Sequence, residues 1–342
     1  MLALVRAAIS LFLLHFRSTP VKRQVVASRS LAPIASTIAS AITICVVAMP
    51  LRASPSLYMT GGTASGSHDA IYRFTPTGTA TTVATGSNTP MGMAIDGNGS
   101  LFLADYGDGN IYKYGPDGSK STFATGLDHP WALAFDPSGN LYEAGDRSYY
   151  IYKYSPSGIR SSFAYWYGSN WGLASDQNGN LFMADPGNYQ VVKITPQGTR
   201  SVLAGVEYPT GVAVDKNGNI FVASDGMAGA GPGIIYKFTP SGGQSTFASG
   251  LQGPFGLAFD KSGNLFEADA FSGIIYKFSP TGTRTTFATG LNFPRYLAFG
   301  DSVPEPSAIS LGNIGVLLFV AWLIVRRQAH GKAMSHIEPK LN

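Results

Sequence analysis

Cysteine is almost missing from this chain: one residue, Cys45, in 342. That excludes a disulfide framework and a cysteine-ligated metal site. Cys45 also lies in an N-terminal apolar segment, where cleavage would discard it, so thiol chemistry in the mature domain is excluded too. Histidine is nearly as scarce, with His68 and His129 the two between residues 55 and 302. His129 precedes Pro130 in a loop and is expected to be solvated. Charged residues make up 13%. No nucleophile elbow and no phosphate-cradling glycine loop occurs, since the glycines follow a turn pattern. Between residues 55 and 302, 14 Lys and Arg stand against 18 Asp and Glu, a net of −4, although the whole chain carries +4. The basic surplus belongs to the two ends and gives no support to a nucleic-acid partner.

What is plentiful is glycine, proline and aromatic residues: 41 Gly, 21 Pro and 12% Phe, Trp and Tyr. They are arranged with a period. A segment reading Ile-Tyr-Lys-Phe-x-Pro-x-Gly begins at Ile71, Ile111, Ile151, Val191, Ile235 and Ile275, at spacings of 40, 40, 40, 44 and 40 residues. A period near 40 built of short strands and glycine turns predicts a β-propeller with one repeat per blade. In the repeat from Pro254 to Gly290 the pattern predicts strands at Gly256–Asp260, Asn264–Asp269, Ile275–Phe278 and Thr285–Thr289. Asp-x-x-Gly runs such as Asp96 to Gly99 and Asp260 to Gly263 fit type I turns. In x-Pro-x-Gly, Pro presets φ and Gly accepts the exit conformation.

Counting fragments closes the ring. An innermost strand at Tyr296–Gly300 has no second strand after it, and a second strand at Ser56–Thr60 has no innermost strand before it. Together they complete one blade. The expectation is an all-β, six-bladed propeller of four-stranded blades over residues 55–302, closed by both ends of the chain. Closure would protect sheet edges that otherwise template aggregation.

The ends read differently. Residues 1–54 carry Arg17, Lys22, Arg23 and Arg29, then an apolar run from Leu31 to Met49, then Ala53: a signal and targeting segment with Ala53 as the expected cleavage position. Residues 303–342 begin Val303-Pro304-Glu305-Pro306, continue through an apolar run over 308–325, and meet Arg326-Arg327. The run is long enough for one transmembrane helix at about 1.5 Å per residue. This order resembles the PEP-CTERM sorting signal. The resemblance implies a Gram-negative source, export, anchoring in the membrane of the cell envelope or at the surface, and an exosortase-type processing enzyme as partner. Residues 328–342 extend past the arginines, where that family usually stops sooner.

The repeat itself, best seen in Gly179-Asn180-Leu-Phe-Met-Ala-Asp185-Pro-Gly-Asn188-Tyr-Gln-Val-Val-Lys-Ile194, resembles NHL repeats and the related senescence-marker/gluconolactonase propellers. That likeness covers residues 56–300 and rests on turn and core residues. For the lactonase-like enzymes it implies a metal at the channel mouth, held by Glu, Asn and Asp from the position before the innermost strand's glycine. Here that position holds Met91, Trp131, Trp171, Thr210, Phe255 and Arg295, none a carboxylate or Asn. Hard cations want oxygen ligands, so no cofactor is expected. Asp-x-Asn-Gly resembles a fragment of a calcium loop, but the later Glu is missing.

Other carboxylates offer little. Glu143 and Glu267 lie three blades apart, too far for paired acid/base work, and are expected to be buried with a hydrogen-bond partner. Asp105, Asp185, Asp225 and Asp269, with Asp146 displaced by one, predict a partial acidic ring whose members cap their own loops. Function in a repeat protein is best sought where repeats differ. The departures are Tyr165-Trp166-Tyr167, the neighbouring Trp131 and Trp171, Arg147-Ser148-Tyr149-Tyr150, and the insertion Gly226–Gly233. The expected binding residues are Trp131, Tyr149, Trp166, Trp171 and Arg295 on the channel-mouth face, suited to a polysaccharide or surface protein. The favoured function is a non-enzymatic binding or structural module for glycan or protein partners. The alternative is a metal-dependent lactonase-, hydrolase- or lyase-like enzyme.

Overall fold

The computed structural model describes residues 55–63, 70–146, 148–166, 168–226 and 231–301. The signal segment, the Val303–Pro306 motif, the 308–325 span and the Arg326-Arg327 pair lie outside the described residues. Among the described residues no helix is long and apolar enough to cross a membrane.

Six antiparallel sheets form the blades. Blade 1 is Pro90–Ile95, Leu101–Asp105, Asn110–Tyr114 and Lys120–Ala124, from inside out. Blades 2 to 5 repeat this order, with innermost strands Pro130–Phe135, Gly172–Ser175, Pro209–Val214 and Pro254–Phe259. Each innermost strand packs on the next, and Leu297–Asp301 packs on both Pro254–Phe259 and Pro90–Ile95, which closes a ring of six. In blade 6 the order is Leu297–Asp301, Pro55–Thr63, Ala70–Phe74, Ala80–Thr85. Leu57 lies opposite Phe299 and Met59 opposite Leu297, so both ends of the propeller share one sheet, as the repeat fragments imply. Strand limits in blade 5 (Pro254–Phe259, Leu265–Asp269, Ile274–Phe278, Arg284–Ala288) differ from the expectation by one or two residues.

The turns behave as their residues dictate. Gly99 donates its amide to the carbonyl of Asp96 at 3.0 Å. The Asp96 side chain accepts from the amides of Asn98 and Ser100 at 2.9 and 2.8 Å, which locks the turn from within. Burial follows radius. Outer strands such as Lys120–Ala124 are largely exposed, whereas second strands such as Leu101–Asp105 are buried throughout. Between blades, a second-strand phenylalanine meets two others edge-on: Phe102 with Phe123 and Phe135, Phe221 with Phe247 and Phe259. Burying such a ring contributes about 1.5–3 kcal/mol.

At the axis, space decides the residue type. A Cβ on Gly211 would lie 1.9 Å from the carbonyl oxygen of Phe255, and one on Gly256 would lie 2.3 Å from that of Arg295. The innermost strands approach so closely that these positions admit no side chain. The channel they line encloses about 40 Å³, bounded by Gly92, Ala132, Gly172, Gly211, Gly256 and Tyr296 among others.

Candidate functional site

The channel mouth is closed by side chains. Trp131 stacks on Trp171 with centroids 5.7 Å apart and planes 14° from parallel. Trp171 stacks in turn on Phe255 at 5.8 Å. That second contact skips a blade, because blade 4 contributes the small Thr210, buried with its hydroxyl donating to the Pro254 carbonyl at 2.6 Å. Tyr296 takes the place that Gly or Ala fills in the other five blades. Its hydroxyl donates across the axis to the Trp171 carbonyl at 2.7 Å, and burial pushes its pKa well up. Arg295 completes the ring, with Nη1 3.7 Å from Met91 Sδ and its guanidinium over Phe293. The position at which the family resemblance implies metal ligands therefore forms an aromatic lid, in which Trp131, Trp171, Phe255 and Arg295 are each partly exposed. Among the described residues no group of three or more His, Cys, Asp and Glu is placed to hold a metal ion.

Most of the acidic residues cap loops. Asp105 accepts from the amides of Asn88 and Asp108 at 2.9 and 3.2 Å, and Asp269 from those of Gln252 and Ser272 at 2.8 and 3.4 Å. Three expectations are corrected. In blade 4 the second strand ends at Ser224, so Asp225 is displaced by one, as Asp146 is in blade 2, and its buried Oδ1 makes no hydrogen bond. His129 is not simply solvated: Nδ1 lies 2.7 Å from Asp128 Oδ1 and the ring packs on Tyr106. Its positive φ is shared by Thr89, Tyr208 and Phe293, which also stand before a proline, so that conformation belongs to the repeat. Glu143 and Glu267 are buried as expected but without a partner, since neither carboxyl oxygen of either makes a hydrogen bond. Burial raises Glu143 to about 8, with Arg160 opposing, and raises Glu267 in the same direction.

A recess on the mouth face lies between blades 2 and 3. It encloses about 490 Å³ and is lined by Asp146, Ser148, Tyr149, Trp166, Gly168, Ser169, Gly187 and Asn188. A departure from the repeat opens it. After blade 1 the Leu127 amide donates to the Gly109 carbonyl, four residues before Trp131. The equivalent amide after blade 2 is that of Trp166, which donates to the Tyr149 carbonyl at 2.7 Å, five residues before Trp171. The loop from that amide onward is one residue longer, and its proline is replaced by the buried Asn170, whose Nδ2 donates to the Gly145 carbonyl at 3.0 Å. Asp185 of blade 3 accepts from the Asn188 amide at 3.3 Å and also from the side chains of Asn188 and Gln190 at 2.7 and 3.0 Å. Trp166 itself is only 7% exposed within the core cluster of Leu181 and Met183, with one side at the recess, and Arg200 lies over its ring.

The structure thus divides the expected residues. Tyr149 and Trp166 share the recess; Trp131 and Trp171 stack in the lid; Arg295 stands in the lid against Met91. Asp146, Ser148, Ser169 and Asn188 are not marked by their residue types. The signal they share is their place in loops that border the break in the repeat. Tyr296 is legible as the one bulky residue in a column of Gly and Ala.

No protein-family model matches the chain, and no curated protein does. Solved structures do. A gluconolactonase from Xanthomonas campestris is 15% identical, with a TM-score of 0.56 over 74% of this chain and 94% of that one. A Bacteroides thetaiotaomicron protein of unknown function is 16% identical, with a TM-score of 0.56 over 73% and 72%. A virginiamycin B lyase from Staphylococcus aureus is 15% identical, with a TM-score of 0.50 over 62% and 74%. At these identities the likeness establishes the six-bladed fold and the fold alone.

Proposed function

We propose that the protein is an exported, envelope-anchored propeller that binds a glycan in the recess between blades 2 and 3. The observation that carries this reading is the recess itself: about 490 Å³, open to solvent, with Tyr149 and Trp166 beside the polar side chains of Asp146, Ser148, Ser169 and Asn188. Sugars present apolar C–H faces and a rim of hydroxyls. Aromatic faces take the former and carboxylate, hydroxyl and amide groups the latter. The rest of the propeller supplies a rigid frame, closed by its own chain ends. In this reading residues 1–54 direct export, the apolar 308–325 span holds the membrane, and an exosortase-type enzyme processes the Val303–Arg327 region.

The test is retention on a panel of immobilised bacterial polysaccharides. The wild type should bind, and Tyr149→Ala should weaken binding about tenfold, the equivalent of ~1.4 kcal/mol for a lost stacking contact. Equal retention of wild type and variant, or none by either, would reject the reading.

A second reading is a metal-dependent hydrolase or lyase. The comparisons lean toward it, since similar folds belong to a gluconolactonase and a lyase. Met91, Trp131, Trp171, Thr210, Phe255 and Arg295 weigh against it, because they offer a divalent cation no carboxylate at the mouth. Lactone turnover that EDTA abolishes and calcium or zinc restores would put this reading first.

A further inference from the structure

Tyr149 and Tyr189 occupy the same position in consecutive blades. In blades 1 and 5 that position is Gly109 and Gly273, at φ +64° and +68°. Its backbone role is constant across these four blades. The carbonyl accepts an amide from the next loop each time: Leu127 to Gly109 at 2.9 Å, Trp166 to Tyr149 at 2.7 Å, Val206 to Tyr189 at 2.8 Å, Leu291 to Gly273 at 3.0 Å. The turn therefore needs no side chain, and glycine serves it best.

Blade 3 nevertheless places a tyrosine there in the left-handed conformation, φ +52°, a region that bulky residues avoid. Packing does not explain it, because Tyr189 is 48% exposed. Its ring meets Tyr208 edge-on at 5.0 Å, and the two hydroxyls lie 3.3 Å apart. Tyr149, 55% exposed, has a parallel neighbour of its own in Tyr165, at 6.3 Å and 5°. Tyr149 thus pairs with an exposed tyrosine of its own blade, and Tyr189 with the partly exposed Tyr208 of the loop that leads into blade 4. Tyr149 lines the recess from blade 2, and Asn188, the residue before Tyr189, lines it from blade 3.

We propose that the ligand is an extended, uncharged chain of pyranose rings, held at one station by Tyr149 and at a second by the Tyr189–Tyr208 pair. This rests on the glycan reading of the recess and adds its length and charge class. Two aromatic stations one blade apart act like linked sites: a chain long enough to reach both gains affinity that a short one lacks. Charge argues against an acidic polymer. Among the described residues lining the recess the one acidic or basic side chain is Asp146, Glu207 is exposed beside Tyr208, and the Arg200 guanidinium already donates to the Tyr165 carbonyl at 2.6 Å. Flat pyranose chains with equatorial hydroxyls present the apolar faces that tyrosine rings take.

The experiment is calorimetric titration of the full chain in detergent with cello- and chito-oligosaccharides of increasing length. Wild type should gain tenfold or more in affinity from the shortest to the longest oligomer. Tyr189→Gly, the residue of the sibling blades, should abolish most of that gain, leave short-oligomer affinity unchanged and leave the thermal midpoint no lower. Tyr149→Ala should weaken all lengths alike. Length-independent wild-type binding, or a Tyr189→Gly variant that keeps the full gain, would overturn the second station while leaving the recess as a glycan site. A Tyr189→Gly variant with a markedly lower midpoint would overturn it too, by showing that the tyrosine is structural. No binding of any oligomer by the wild type would overturn both.

Discussion

Single residues in this propeller are best judged against their siblings, and Glu143 is the sharpest case. The same second-strand position holds Leu103, Met183, Val222 and Met59 in other blades, all buried. Glu143 replaces an apolar side chain between Leu133 and Tyr152 without gaining a hydrogen bond. A buried, unpartnered carboxyl costs about 1–3 kcal/mol even when protonated. Ionising it costs more, which is why its folded pKa rises to about 8. The sign follows from proton binding. Between the unfolded value near 4.5 and the folded value near 8 the native state holds a proton that the unfolded state releases. Stability is then greatest below the unfolded value, falls at about 1.4 kcal/mol per pH unit through that window, and levels above it. Glu143→Met should raise stability at every pH, with a gain that grows from pH 5 to pH 8. Denaturant midpoints of the two proteins across that range would measure it; a constant or shrinking difference would refute the argument. Tyr189 is the opposite departure, in which a left-handed tyrosine costs on the order of 1–3 kcal/mol of backbone strain that an exposed ring does little to offset.

Strands and loops differ in how plainly their sequence announces them. The innermost strands are legible because contact distance dictates composition. Gly211→Ala would drive a methyl group into the Phe255 carbonyl, and should cost about 3 kcal/mol through overpacking. A thermal midpoint for Gly211→Ala within a degree of wild type would contradict the close approach. The 40-residue period, the Asp and Pro turns and the shared blade are all readable for the same reason: each is part of a pattern written several times over. The site is less so. Residue spacing aligns Trp166 with Gly126 and makes it read as part of an exposed aromatic patch. A one-residue shift in its loop moves it into the place of Leu127, where it is buried. The lid is half legible. Its residues can be named from sequence, but stacking of Trp171 on Phe255 depends on Thr210 being small enough to let them meet, which is a fact of packing. The unpartnered state of Glu143 and Glu267 is invisible beforehand, because sequence reports that a group is polar and not whether a partner reaches it.

The molecule as a whole depends on one latch. The nine-residue strand Pro55–Thr63 pairs with Ala70–Phe74 on one side and with Leu297–Asp301 on the other, and its end also reaches Leu291–Asn292. Thr60 is the knot. Fully buried, it exchanges backbone hydrogen bonds with Tyr296 and Arg295 at 3.1 and 3.0 Å, while its hydroxyl donates to the Met91 carbonyl of blade 1 and accepts from the Tyr296 amide. One residue thereby joins the first and last blades and anchors the tyrosine that bridges the channel. Without this strand, Leu297–Asp301 and Ala70–Phe74 would both become open, apolar edges, the kind that recruit other chains. The proposed export places a constraint on the same strand. Pairing begins at Pro55 opposite Asp301, so signal cleavage at Ala53 spares the latch, whereas cleavage a few residues later would cut it. The mature N-terminus should therefore fall at or before Pro55, and a chain beginning at residue 64 should aggregate rather than form a cooperative monomer. N-terminal sequencing of envelope-extracted protein, with size exclusion and thermal melts of the shortened chain, checks both. A mature chain starting beyond Leu57 that still melts as a single cooperative monomer would show that blade 6 closes by other means.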